Sequence, residues 1–397
     1  MKKSLLLLYL MPAFLFGQQT ITSVQNGNAT NPLVWDCLCF PTTDDNIIIN
    51  HAIGMDVDWA ITAGGSITVN STGSFIQSGI HSILVDGTGS HYANYGNSSF
   101  LNIAYTNGAS GTNSNVFSIH RALYVGPGAN YMNTGTLNGI DSLMTEGVFI
   151  NDGICYAGNI LNTGSFTNTG QIAGDSVGNT GTFNSVGGFM YFNAFGNSGV
   201  FSMTGSGFMD VTQNWFNAGD FTLGAGLQIF AHNNFYNGDS LMGSANLHNN
   251  GRIEVTNDFY NNFFMDGNGN FCVGDESFNS GSLSGSFDFC DNTGTNFDWN
   301  TGTIAGTITF CQPGCFLSLD ENEAEEVYVY PNPTTGIIQI SAQKNYSNCS
   351  VYAISGQLIA ILTLKGNTLD LGMMNPGTYF LQFSGSMNSK MVRVSVQ

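Results

Sequence analysis

The chain has 397 residues, a net charge of −19, only 9% charged residues, 51 glycines and 30 phenylalanines. Disordered chains are rich in charge and poor in aromatics, so this one folds, and its length allows two or three domains. Arg121 and Arg252 are the only Lys or Arg between Gln18 and Glu326, which leaves almost nothing to neutralise phosphates. Nucleic acid is excluded as a partner on that ground, and docking on anionic lipid is disfavoured.

In chain order, Met1-Lys-Lys-Ser and the apolar run Leu5 to Phe16 have the form of a secretory signal peptide over residues 1–17, with Gly17 at the cleavage point. No later apolar run approaches the ~20 residues that span a bilayer, so a mature chain without a transmembrane segment is expected outside the cytoplasm. Residues 18–45 are polar and read as an N-terminal cap. The pattern Trp35, Pro41, Asp45, Ile47, Ile49 and His51 resembles the entry of exported bacterial β-helical proteins.

Over residues 46–311 the chain repeats itself. Ile47 and Ile49 recur as Ile67 and Val69, and Asn197-Ser-Gly-Val-Phe-Ser-Met recurs as Asn217-Ala-Gly-Asp-Phe-Thr-Leu. Gln213-Asn-Trp-Phe-Asn217 returns as Asn233-Asn-Phe-Tyr-Asn237 and Asn257-Asp-Phe-Tyr-Asn261. A unit of about twenty residues cannot bury a hydrophobic face alone and must stack on its copies. The apolar residues alternate, as at Phe201/Met203 and Phe221/Leu223, which is strand periodicity. Asn-x-Gly punctuates the strands, and Gly or Asn suits a left-handed or tight turn. The expected fold is all-β: a right-handed parallel β-helix with equivalent residues roughly 4.8 Å apart, Phe and Leu stacked inside, and Asn ladders at the corners. About thirteen rungs would make a rod of roughly 60 Å. Between Tyr92 and Pro127 the register blurs and loops are expected. Phe289 to Cys311 reads as the closing rung.

Residues 312–326 contain the acidic run Asp320-Glu-Asn-Glu-Ala-Glu-Glu326 and read as a linker. From Val327 alternating strands return, which describes a separate small β-sandwich over residues 327–397. Its motifs are Val329-Tyr-Pro-Asn-Pro-Thr-Thr-Gly336, Val351-Tyr-Ala-Ile-Ser-Gly356, Leu369 to Leu381, and the closing Lys390-Met-Val-Arg-Val-Ser-Val396. This segment resembles the C-terminal sorting domain of the type IX secretion system, with Pro331, Asn332, Pro333, Gly336, Gly356, Gly377 and Tyr379 on the motif positions. The resemblance implies recognition by the outer-membrane translocon and its sorting peptidase, and delivery of the passenger to the cell surface or the medium.

The residues that could carry chemistry are sparse. In an exported chain disulfides are the default for cysteine. Cys272 is placed to pair with Cys290 across one rung, or Cys311 with Cys315 around a turn. A zinc site from Cys37, Cys39, Cys311 and Cys315 would need residues from opposite ends of the rod. Asp266, Asn268 and Asn270 begin like a calcium loop, yet Phe271 and Ser277 occupy the positions of the required glycine and carboxylate, so no cofactor is expected beyond that weak calcium option. A lyase needs a base beside cations; Arg252, with Glu254 on the same strand face and His232 twenty residues earlier, is the best such set, against the plainer reading of a surface ion pair. Hydrolases need paired carboxylates, and Asp210, Asp220, Asp258, Asp275, Asp288 and Asp298 show no constellation. Of Trp215, Phe235, Tyr236, Phe259 and Tyr260, one of each adjacent pair must point outward and could stack on sugars. The expected function is therefore a structural, adhesive or glycan-binding β-helix, with a polysaccharide lyase or glycoside hydrolase as the alternative.

Overall fold

The computed structural model describes residues 18–238, 245–294, 296–311, 327–341, 348–353, 357–384 and 389–397. The expected signal peptide (1–17) and linker (312–326), and with them Cys315 and Gly356, lie outside the described residues. The chain divides into two compact units, residues 1–317 and 318–397.

The first unit is a parallel β-solenoid of about thirteen turns over residues 46–310. One wall is a 15-stranded sheet that runs from Thr20–Thr22 to Thr303–Ile304. The rest of each turn is a second stretch of strand that bends at its middle. In Asn97–Thr106 the register shifts between Phe100 and Asn102. Ile47 and Ile49 stack on Ile67 and Val69, and Phe201 stacks on Phe221 with ring centroids 5.2 Å apart. The segment read as a cap also contributes strands: Thr20–Thr22 pairs with Ile47 and its neighbours, and Gly27–Asn28 pairs with Ile53 and Gly54.

The interior is a pile of rings. Phe149, Phe166 and Phe183 stack at 4.7 and 4.5 Å, and offset stacking of this kind adds to the burial of large apolar area. Beside the rings run two chains of buried amides. Asn94, Asn113, Asn133, Asn151 and Asn168 are linked Nδ2 to Oδ1 at 2.7–2.8 Å. A second chain runs through Asn162, Asn179, Asn197, Asn217, Asn237, Asn261 and Asn279 and ends on the exposed Asn300, with links of 2.7–2.9 Å. Every link donates toward the next rung, so the amide dipoles align and each bond polarises its neighbour.

The stretch from Tyr92 to Pro127 corrects the expectation of loops. It holds two of the longest strands, Asn97–Thr106 and Val116–Val125, joined through Ser110–Asn113. The alternation is interrupted there because some inward positions are polar or small: Asn94, Ser98 and Asn113 are buried, and Gly111 leaves room for the Tyr105 ring, which a Cβ would meet at 2.4 Å. The reason for the Asn-x-Gly signature differs as well. Gly164, Gly181, Gly199 and Gly219 are absent from the left-handed region. A Cβ at Gly181, Gly199 or Gly219 would lie 2.1–2.2 Å from the carbonyl oxygen of the glycine one rung below. These glycines serve close stacking of corners rather than turn conformation.

The second unit is built of two antiparallel sheets. Tyr328–Tyr330, Ile337–Ser341 and Thr368–Asp370 form one; Leu358–Thr363, Asn348–Ala353, Gly377–Ser384 and Ser389–Val396 form the other. Ile338, Val351, Leu369, Leu381 and Val394 share its core.

Candidate functional site

The outer wall of the solenoid carries its most ordered exposed chemistry. Strands Trp215–Asn217, Phe235–Asn237, Phe259–Asn261 and Ser277–Asn279 stack in register. Their first residues Trp215, Phe235 and Phe259 are buried, so the middle residues face out. Phe216, Tyr236, Tyr260 and Phe278 form a ladder with centroids 4.8, 4.9 and 4.8 Å apart and planes within 7° of parallel. Trp299, 66% exposed, continues the column after Phe278. At the other end Gly196 precedes Phe216, so nothing but backbone stands before that end of the ladder.

A polar column flanks the rings. Asn234 Nδ2 donates to the Tyr236 hydroxyl at 3.0 Å, and the Tyr260 hydroxyl donates to Asp258 Oδ2 at 3.1 Å. Asn214, Asn234 and Asp258 also accept the backbone N–H of the rung above. Partial burial, the hydrogen bond donated to Asp258 and the charges of Asp258 and Glu276 push the Tyr260 hydroxyl up to about 12.

Nearer the middle of the rod a groove of about 660 Å³ opens on the same bent wall. Tyr156, Ala173 and Tyr191 occupy one register column, and both tyrosines are substantially exposed, at 44% and 39%. Phe208 meets the Tyr191 ring edge to face at 5.3 Å. Gly158 and Gly174 form part of the floor, and Asp141, Asp175, Asn193, Asp210 and Thr212 supply the polar lining. Asn193 bridges Asp175 and Thr212 at 3.1 and 2.9 Å. Burial, then the charge of Asp210, raises the Tyr191 hydroxyl above its usual range. Sequence reasoning missed this groove, because its column runs through rungs of unequal length.

The candidate lyase set is not brought together. Arg252 Nε contacts Glu254, as the shared strand face requires. The residue beneath Arg252 is Gln228, because the turn between them adds residues. His232 instead pairs with Asp210 at 3.1 Å. Asp266 is held by His248 Nδ1 at 2.5 Å, the Asn268 N–H is bonded to Asn250, and Asn270 lies on the next strand over Arg252. Among the described residues no group of three or more His, Cys, Asp or Glu side chains is placed to hold a metal ion.

The cysteines bond one rung away from the expected pairing. Cys272 and Cys290 are in register, yet Cys290 is joined to Cys311, with Cα atoms 4.4 Å apart. Cys272 is disulfide-bonded too. The Cys290 bond runs to the last described rung. Cys37 and Cys39 form their own disulfide, which removes both from the zinc set.

In the second unit, Tyr330–Pro331 and Asn332–Pro333 are cis. The Asn332 side chain ties this turn to the last strand, donating to Arg393 O and accepting from Ser395 N at 2.9 Å each. Gly336 N donates to Thr334 Oγ1, whose backbone N–H bonds Ser395 O. Gly377 pairs with Val396, and the Tyr379 hydroxyl donates to Asn375 O. The motif residues described thus close one sheet against the chain end.

Among the described residues no helix is long and apolar enough to cross a membrane. No curated protein matches the chain. Residues 328–397 match the secretion system C-terminal sorting domain, so the chain is a parallel β-solenoid passenger carrying a sorting domain of the type IX export family.

Proposed function

We propose that this protein is an extracellular binding or adhesive solenoid that holds extended carbohydrate along its outer wall. The sorting domain implies recognition by the type IX machinery and export to the cell surface or extracellular space. The observation that carries the reading is the ladder Phe216–Tyr236–Tyr260–Phe278, repeating every 4.8–4.9 Å beside a polar column. Stacked rings turn their edges outward, which makes an apolar stripe with hydroxyls at Tyr236 and Tyr260. Such a stripe beside Asn234 and Asp258 suits the alternating C–H and hydroxyl surface of a sugar polymer. Protein interfaces favour aromatics for the same reason, large rigid contact at low entropic cost. The net charge of −19 favours neutral or cationic polymers over acidic ones. The lyase alternative gains no support from Arg252 and His232, which engage different partners.

The test is retention of the full-length protein on insoluble neutral polysaccharides and on a glycan array, beside a turnover assay on acidic and neutral substrates. Tyr236→Ala combined with Tyr260→Ala should lower retention at least about tenfold, given hot-spot losses of ~2 kcal/mol for central aromatics. Turnover abolished by Arg252→Ala would overturn the proposal in favour of catalysis.

A further inference from the structure

The groove at Tyr156 and Tyr191 is separate from the ladder and carries its own inference. We propose that it is a clamp for a single pyranose ring bearing a protonated amino group, a de-N-acetylated hexosamine unit of a glycan. The register puts Tyr156 and Tyr191 two rung steps apart with Ala173 between them. Two steps are roughly 9.6 Å. A flat aromatic guest with contacts of ~3.5–4.0 Å on each side would need only about 7–8 Å. A saturated sugar ring, whose C–H bonds project from both faces, fills the wider gap. Phe208 backs Tyr191 at 5.3 Å, so that side of the clamp is held in place.

Gly158 and Gly174 line the groove without a side chain. At Gly174 a Cβ would lie 2.1 Å from Ala157 O, and at Gly158 2.8 Å from Asp141 O, so backbone alone packs at both positions. The charge of the lining selects the guest. Asp141, Asp175 and Asp210 line the groove and no Lys or Arg does. Asp175 is already bonded by Asn193, and Asp210 by His232. The Asp141 carboxylate makes no hydrogen bond or ion pair among the described residues, and it stands ready to accept from an ammonium group. An amine beside tyrosine faces also gains a cation–π contribution. An N-acetylated ring lacks the charge and adds bulk over Ala173.

The experiment is calorimetric titration of the full-length protein with glucosamine tetramer and with N-acetylglucosamine tetramer, at pH 6 and two salt concentrations. The wild type should bind the amine form more tightly. Asp141→Asn, close in shape, should lower that affinity about tenfold, the weight of a hydrogen bond to a charged group. Ala173→Leu fills the gap without deleting a contact and should abolish binding, with circular dichroism unchanged as proof of folding. Asp275→Asn removes an exposed carboxylate outside the groove and reports the general attraction of an acidic protein for a cation; it should change affinity less than twofold. Equal binding of both tetramers, unchanged binding by Ala173→Leu, or equal losses for Asp141→Asn and Asp275→Asn would each overturn the clamp. Ladder binding of neutral polymer would survive any of these results, so the two sites fail independently.

Discussion

Asn133 stands in the middle of the first buried amide chain. Its Nδ2 donates to Asn151 Oδ1 at 2.7 Å and to the carbonyls of Gly135 and Ile154, while its Oδ1 accepts from Asn113 at 2.8 Å. Alanine there strips the Asn151 oxygen of its donor and removes an acceptor from Asn113. The Asn113 amide keeps the Asn115 and Thr136 carbonyls, so the one buried group left unpaired, Asn151 Oδ1, implies a loss of roughly 1–3 kcal/mol, beyond the cavity. Asn168 ends the same chain. It accepts from Asn151 at 2.8 Å and donates to Gly170 O, and the next column position is Ser185, whose hydroxyl has no partner among the described residues. Alanine at Asn168 removes the same atoms, so the cavity contributions are comparable, and the Asn151 amide keeps the Gly153 and Gln171 carbonyls, so no amide is left unpaired and the loss should be smaller than at Asn133. Urea unfolding read by the buried tryptophans Trp35, Trp59 and Trp215 gives the global comparison. Hydrogen exchange over Asn130–Asn133 and Val148–Asn151 gives the local one, which a solenoid requires because it can open in segments. Equal losses at the two positions, or a loss at Asn133 no larger than that of the exposed-face variant Asn184→Ala, would refute the view that the amide chain acts as a unit.

Further outcomes follow from the packing. Gly181→Ala should destabilise by at least ~1–3 kcal/mol as overpacking, because its Cβ would lie 2.2 Å from Gly164 O; the same urea assay checks it, with the open position Gly226→Ala expected to cost less of this steric component. Reducing Cys290–Cys311, which closes 21 residues, should lower stability by about 3 kcal/mol and raise exchange in the closing rung first. Cys155 is buried inside the solenoid and burial pushes its thiol up to about 12. It should resist iodoacetamide in the native protein at pH 8 and react once urea exposes it, since reactive thiolate is absent below that range. Deleting residues 327–397 should abolish appearance of the protein outside the cell while leaving its strand circular dichroism intact.

Much of the fold was legible because stacking makes equal residues meet. Ile47 over Ile67 and Phe201 over Phe221 could be read by counting twenty along the chain, with Phe221 directly above Phe201. The count failed wherever a turn changed length. Arg252 was set over His232 by the same arithmetic, and the longer turn between Asn237 and Asn246 moved Gln228 beneath it instead. Likewise Tyr156 and Tyr191 share a column through rungs of 17 and 18 residues, a coincidence no fixed period exposes. Alternation alone required one of Phe235 and Tyr236, and one of Phe259 and Tyr260, to face out; which of each pair does, and the place of Phe216 and Phe278, needed the register. At Tyr92–Pro127 the apolar alternation of Phe100, Ile103, Phe117 and Ile119 is interrupted by the buried polar residues Asn94, Ser98 and Asn113.

The uneven spacing along the second amide chain shows what this architecture tolerates. Asn237 still reaches Asn261 at 2.7 Å across a separation of 24 residues, while other links of the same chain close over 17 or 18. Corner positions are thus held fixed while the number of residues between them varies. Residues inserted between two corners would therefore leave the stacked interior in place, and the same freedom lets one rung diversify without recasting what lies inside.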